Sequence, residues 1–543
     1  MKRFQFAFAF CALVFTFGTQ LGAPLGAQII HDPNDRIYKD IDRWAANGYI
    51  TQSLPLIRPY PIQLFDELLD DVIERGGVED REKAAAYKAE LAPTSRFLHV
   101  GVQAEVVGQD DNTMLTLAPS VDGNFRLMDW ITASYFFSFY ASEGTPGEEL
   151  RVPGTYSPFP DLILDNANAG NFWFYPDWTS ATAFGSSRLY FQAGVTRTAI
   201  GPFYENSTVV GPQAGRAGHF SLNYRHSKGS FEMLLMTLTA SNDFGEGKFP
   251  NKYLIFHSIN FNPSPNFEFG LQESVIWGGR MEYLYLVPFA VLFTSQALSD
   301  FGDNSFIGFH MRWDIPGHIQ LLGQLYVDDF HFNDFMRFKW NTKYKFSGQL
   351  GLTWAPPESP LASLQADYTI IFPYMYSHWN VPDADRYEKE KPNYLIYSHG
   401  GRNLGSELDP NSHRISLKSS WRTIRGLDVS AALYFTQHGN ASENVPSDGW
   451  LEDREKEGHD GSIYDDGSTK NGNNYSEARF LTQKTLDTRL AAGLGAAWRM
   501  PFFSFAEFSL FANCMFEYGW NRNLVRDNNG IVNYWSVGGS WRW

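Results

Sequence analysis

The 543-residue chain contains only two cysteines, Cys11 and Cys514, and Cys11 lies inside an apolar N-terminal run. Once that run is removed, no intramolecular disulfide can form and no zinc site built from several cysteines is available. Positive charge is also scarce. Against 60 Asp and Glu there are 44 Lys and Arg, a formal charge of −16, which argues against binding nucleic acid or anionic lipid through bulk charge. Long hydrophobic runs are missing as well. Beyond residue 27 no segment supplies the roughly 18 uninterrupted apolar residues of a spanning helix; the richest, Leu284 to Thr294, contains Pro288. There is no Gly-x-Ser-x-Gly, no His-Glu-x-x-His and no phosphate-cradling glycine loop ending in Lys-Ser or Lys-Thr. With no such motif the chain is read as non-enzymatic and without a cofactor.

Aromatics and glycine are plentiful, at 16% and 47 residues, while the mean hydropathy is only −0.31. Lys2 and Arg3 precede the apolar run Phe4 to Phe17, and small residues follow up to Ala27. This is the layout of a cleavable signal peptide over 1–27. An exported, aromatic-rich chain without spanning helices points to an all-β transmembrane barrel in the outer membrane of a diderm bacterium. The stretch after Pro316-Gly317 carries the pattern most clearly. Ile319, Leu321, Leu325 and Val327 share one parity, and Gln320, Gln324, Tyr326 and Asp328 share the other. A period of two with one apolar and one wet face is a barrel strand. Leu98 to Val106 and Ile131 to Phe139 alternate in the same way.

Short turns are expected at Ser227-Lys228-Gly229, Asn262 to Pro265, Asp314 to Gly317, Ala355 to Pro360, Thr423 to Gly426 and Met500-Pro501. Longer polar stretches lie between them, so short and long connections alternate as periplasmic turns and extracellular loops do. Trp313, Trp354, Trp421 and Trp498 each stand just ahead of a short turn, the place of an aromatic belt at the inner membrane interface. The end, Ser536 to Trp543, resembles the C-terminal signal through which the barrel-insertion machinery recognises such chains. The count comes to about 18 strands if one lies between Ile200 and Gly215.

Residues 28–95 read differently, with the barrel spanning 96–543. Ile37, Ile41, Trp44 and Ala45 fall at helical spacing before Asn47-Gly48. Pro61 opens a second helix with the stripe Ile62, Phe65, Leu69, Val72 and Ile73, and a third runs from Asp80 to about Leu91. This is a small periplasmic α-helical domain.

Six stretches in order carry a resemblance: Ile200-Gly201-Pro202 with Asn206-Ser207-Thr208; Asn251 to His257; Phe267 to Glu273; Gly323 to Phe330; Tyr368 to His378; and Leu404-Gly405 with Asp409-Pro410-Asn411. From about Phe191 to Asn411 the chain resembles the Wzi family of outer-membrane capsule-assembly proteins. That resemblance implies a wide barrel with a helical bundle, acting as a lectin that holds exported polysaccharide at the cell surface. The runner-up from the residues is a porin for sugars or other small solutes, since a barrel of this width can enclose water.

A saccharide site needs aromatic faces together with carboxylates and amides. Candidates at the outer ends of strands are Trp173, Tyr175 and Trp178, and Tyr374, Tyr376, His378 and Trp379, with Asp328 and Asp329 at the end of the strand that follows Pro316-Gly317. The plainer reading is an outer aromatic girdle or rings that pack their own loops. Asp328 and Asp329 point to opposite faces and are poorly placed to flank one glycosidic bond. The acidic stretch 449–468 reads as a solvated loop. Glu273 sits on the apolar parity of its strand, which implies a bulge or a place at the membrane interface. The expected partners are therefore surface polysaccharide, outer-membrane lipid and, through Trp543, the insertion machinery, with no nucleic acid and no metal.

Overall fold

The fold is that of a computed structural model, which describes residues 32–543 except 34, 92–97, 144–166, 170–171, 299–301, 330–335, 338–343, 358, 379–389, 425, 444–460, 466–467, 470–471, 474–479 and 504–505. The 1–27 leader, Trp379 and most of the acidic stretch fall outside these residues.

Three helices come first: α1 (Arg36–Ala46), α2 (Ile62–Arg75) and α3 (Val78–Glu90). The Asp35 side chain accepts the Ile37 N–H at 3.0 Å and starts α1. Gly48, at φ +79, lets the chain turn after it. The stripes Ile37, Ile41, Trp44 and Ile62, Phe65, Leu69, Val72 bury against one another, as their spacing requires, with Tyr38 and Tyr87 completing the core. Burial pushes the Glu90 carboxyl up from 4.5 to about 7, and neighbouring Glu507 adds to it. An acid held protonated in this way gives stability that is present below about pH 4.5 and lost as the pH rises to 7. Glu90→Gln is expected to flatten the pH dependence of helical-domain melting over that window, measured by circular dichroism; an unaltered profile removes Glu90 from that role.

Eighteen antiparallel strands close the barrel. They are β1 (His99–Gln109), β2 (Asn112–Met128), β3 (Ile131–Glu143), β4 (Phe172–Gly185), β5 (Leu189–Arg197), β6 (Arg216–His226), β7 (Gly229–Ala240), β8 (Phe249–Ser264) and β9 (Phe267–Gly278). The second half comprises β10 (Asn304–Ile315), β11 (Ile319–Asp329), β12 (Lys345–Trp354), β13 (Leu361–Ile371), β14 (Ser412–Ile424), β15 (Leu427–Gly439), β16 (Leu486–Phe503), β17 (Ala506–Trp520) and β18 (Gly530–Arg542). β18 pairs with β1 from Arg542↔Gly101 to Tyr534↔Gln109 and leaves no edge. Each strand sends one parity inward. On β11, Gln320, Gln324 and Tyr326 are buried in the lumen while Leu325 is exposed on the outside.

The connections gather at two ends, a turn end and a loop end. All the long loops leave from the loop end, where β1 and β2 are joined by 110–111 alone. Two sequence expectations are corrected here. Met500-Pro501 is no turn: it lies within β16, at a register irregularity against β17, where a strand tolerates proline. Nor does a barrel strand lie between Ile200 and Gly215. That segment enters the lumen, where Ala199–Ile200 pairs with Ile57–Arg58 of the segment between α1 and α2. Trp313, Trp354 and Trp498 are exposed on the outer wall near the turn end, as an interface belt requires.

The lumen is filled from both ends. Leu56 and Ile57 from below, Ile200, Val209 and Val210 from the β5–β6 loop, and Tyr376, Tyr397 and Leu404 from the β13–β14 loop form one buried core with lumen-facing Leu234, Leu254 and Phe256. At the turn end the helices and the segment joining α1 to α2 rest on the wall through Arg126–Asp66, Thr132–Gln63 at 2.8 Å, Arg225–Gln52 at 2.8 Å and Arg422–Asp80 at 3.4 Å.

Candidate functional site

The loop end presents the chain's longest connections, and the β13–β14 loop organises its inner side. This loop is drawn into the barrel by anchors on lumen-facing positions. Lys252, fully buried on β8, donates to the Ile396 carbonyl at 2.6 Å and to the Ser398 hydroxyl at 3.2 Å. Asn304 on β10 donates to Leu395 O at 2.9 Å, and Lys345 on β12 to Ser377 O at 3.1 Å. Aromatic rings stack beneath the loop. Phe306 and Tyr326 lie 5.1 Å apart and nearly parallel, Phe306 and Tyr397 are at 4.6 Å, and Tyr376 stacks on Tyr397 at 5.5 Å. The Tyr376 hydroxyl donates to Thr208 O at 2.6 Å, tying this loop to the β5–β6 segment below it.

These contacts revise the expected site. Tyr374 and Tyr376 are no exposed platforms: both are buried, and the Tyr374 hydroxyl lies 3.0 Å from that of Ser442. A phenol in this interior needs a polar partner, and the β15–β16 connection supplies one in Ser442. The Tyr376 N–H faces the Asp328 carboxylate. Asp328 is half-buried on the lumen parity, while Asp329 is exposed on the other and pairs with Lys345 at 3.0 Å. His378 is half-exposed, and its carbonyl accepts from Asn393 at 3.0 Å. These residues form one neighbourhood around β11, β12 and the start of the β13–β14 loop.

Trp173, Tyr175 and Trp178 belong to β4, separated from β11 by the strands β5 to β10, so the two aromatic groups are not brought together. Trp173 and Tyr175 point inward at the loop end. Tyr175 is buried and stacks on Tyr140 with ring centroids 5.4 Å apart and planes 7° from parallel, and half-exposed Trp173 packs beside the pair. Asp177, next on the same parity, is ion-paired with Arg216. Trp178 is on the opposite parity, 52% exposed on the outer wall and facing away from the lumen.

The anchors Lys252, Phe306, Tyr326 and Tyr397 were not among the expected residues. The usable signal lay in β7, where Phe231, Met233, Leu235 and Leu234, Met236, Leu238 put apolar side chains on both parities. A wall apolar on both faces has protein inside it. Among the described residues no group of three or more His, Cys, Asp or Glu is arranged to hold a metal.

No family model matches the chain, and no curated protein matches it by sequence. Among solved structures, OprD of Pseudomonas aeruginosa aligns over 82% of this chain and 94% of its own, at 8% identity and a TM-score of 0.42. Wzi of Escherichia coli, described as an outer-membrane carbohydrate-binding β-barrel involved in group 1 capsule assembly, aligns over 96% of this chain and 99% of its own, with 12% identity and a TM-score of 0.56. The chain has a Wzi-like fold, that of an outer-membrane β-barrel with helices ahead of its first strand.

Proposed function

We propose that this protein binds an exported surface polysaccharide at its loop end and retains it on the cell, without catalysing a reaction. The observation that carries the reading is the filled lumen. An 18-strand barrel occupied by its own helical-domain linker and two inward-folded loops is suited to presenting a surface and poorly suited to passing solutes. The carbohydrate binding described for Wzi supports the same reading. In this account the loops face outward, the helices lie in the periplasm after cleavage near Ala27, Trp543 guides insertion, and lipid surrounds the wall. The contact residues are Trp173 on one side of the mouth and Asp329 and His378 on the other, with Tyr175, Tyr374, Tyr376 and Asp328 holding the surface from beneath.

The test compares cells with and without the chain and measures polysaccharide attached to the cell and shed into the medium. The expected result is unchanged total synthesis with a fall in the attached fraction. Trp173→Ala combined with His378→Ala should lower that fraction several-fold while the barrel still inserts. If neither fraction moves on removing the chain, retention is not its task.

A further inference from the structure

The loop after β9 does not stay at the loop end. It descends the outside of the barrel wall. Tyr285 meets Trp277 edge-on at 5.0 Å, and Phe289 lies over Phe231 at 4.1 Å. Phe231 is close to the turn-end start of β7, and its row across the sheet continues through Ile259 and Leu271 to Phe309. Trp313 of the interface belt follows Phe309 by only four positions on β10. The segment therefore runs over a part of the wall that the bilayer would otherwise cover. Beneath it Phe231, Met233, Ile255, Val275 and Trp277, all on outward parities, are fully or nearly fully buried, together with Tyr285 and Leu292.

The polar groups of this segment, Thr294 excepted, turn inward. Glu273, the acid on the lipid-facing parity, accepts the Phe293 N–H at 3.4 Å at the start of the short helix α4 (Leu292–Leu298). His257, also outward on β8, lies against the Ala290 backbone. Near the loop end Arg280 donates twice to Asp303, at 3.1 and 2.5 Å, and the Tyr285 hydroxyl donates to the same carboxylate at 2.7 Å. The outer surface is the reverse. Tyr283, Val287, Phe289, Val291, Phe293 and Leu298 are each at least half exposed, and no Asp, Glu, Lys or Arg occurs from Tyr283 to Ser299. Non-strand backbone survives at hydrocarbon depth only where protein satisfies its polar groups, and this wall offers the Glu273 carboxylate to do so.

We propose that residues 281–298 form a membrane-embedded covering of the β7–β9 wall, with their exposed side chains against lipid acyl chains and Glu273 as its polar pin. The occupant follows from continuity. The adjoining wall residues Ile259, Leu271, Ile307 and Phe309 are exposed to the same lipid belt, and the segment replaces one apolar outer surface with another. The proposal does not depend on the polysaccharide reading.

The experiment places single nitroxide labels on the full chain in phosphatidylcholine vesicles. In a Cys11→Ala, Cys514→Ala background, cysteine is introduced by Val287→Cys, Val291→Cys or Phe293→Cys, positions already exposed, with Asp111→Cys at the loop end as the water-facing control. Collision rates with oxygen and with a water-soluble nickel chelate are then compared. Oxygen should dominate at 287, 291 and 293, and nickel at 111. Nickel dominance at the three sites would place the segment in water and overturn the proposal. Loss of both collisions with spin–spin broadening between chains would identify a second copy as the occupant and overturn it equally. Glu273→Ala should shift the label at 291 toward nickel; an unmoved label removes the pin.

Discussion

In planar bilayers the intact protein is expected to be electrically silent, as are variants released at one end only, while a variant released at both ends is expected to conduct. The reason is that the two ends are fastened by separate anchors. At the turn end Glu232 on β7 accepts the backbone N–H groups of Leu56 and Ile57 at 2.9 and 3.1 Å. Arg58, fully buried and paired with Asp42, lies 3.4 Å from the Tyr204 ring centroid and 4.5 Å from that of Tyr38. Glu232→Ala strands two buried donors at about 1–3 kcal/mol each, and Arg58→Ala removes a desolvated cation–π contact of about 2 kcal/mol. At the loop end Tyr397→Ala opens a cavity among Phe306, Tyr326 and Tyr376, a loss of about 3–5 kcal/mol. About 4 kcal/mol shifts an open–closed equilibrium roughly a thousandfold. Steady conductance from the parent would favour a diffusion channel, and silence from the triple variant would mean that a third element closes the lumen.

The outer architecture was legible because it rests on local chemistry. On β11 the two parities differ so sharply that a slip of one residue would put Gln320, Gln324 and Asp328 into lipid. Trp313, Trp354 and Trp498 mark the turn end from sequence because an indole at the interface has both a wet and an apolar side. The inner architecture was not legible in the same way. Ile200, Val209 and Val210 have the apolar character of a strand, yet their burial comes from Leu56 and Ile57, more than 140 residues earlier in the chain. Tyr374 and Tyr376 look like loop aromatics facing a ligand, and only the fold supplies Ser442 and Thr208 O to their hydroxyls. Glu273 admitted two readings, a bulge or the interface, and the structure adds a third: an acid that satisfies a segment lying on the wall. In each case the deciding partner is distant in sequence, so neither periodicity nor composition carries it.

Asp40→Ala is expected to melt the helical domain while leaving the barrel intact. Asp40 is buried and serves as the hub of that domain. It accepts from Lys83 at 2.8 Å, from the Tyr87 hydroxyl at 2.7 Å and from Arg43 at 3.3 Å, and it faces Arg36 at 3.8 Å. Burial alone would push its carboxyl up, but Lys83, Arg43 and Arg36 together hold it well below the usual carboxylate range. A carboxylate lowered in this way contributes stability above about pH 4 that is lost as the pH falls through its folded value. The intact domain should therefore stay seated down to distinctly acid pH. Removing one member of a buried charge group leaves the others unpaired, at about 3–5 kcal/mol, a large share of what a domain of three short helices has to lose. The consequence reaches the barrel through Arg43, which pairs with Asp80 at 2.7 Å, because Asp80 also faces Arg422 on β14 at 3.4 Å. Limited proteolysis should cut the variant between residues 32 and 91 at least tenfold faster than the parent, with the heat-modifiable migration of the barrel unchanged. Equal cutting rates would mean that seating on the wall, and not the Asp40 network, keeps the helices folded.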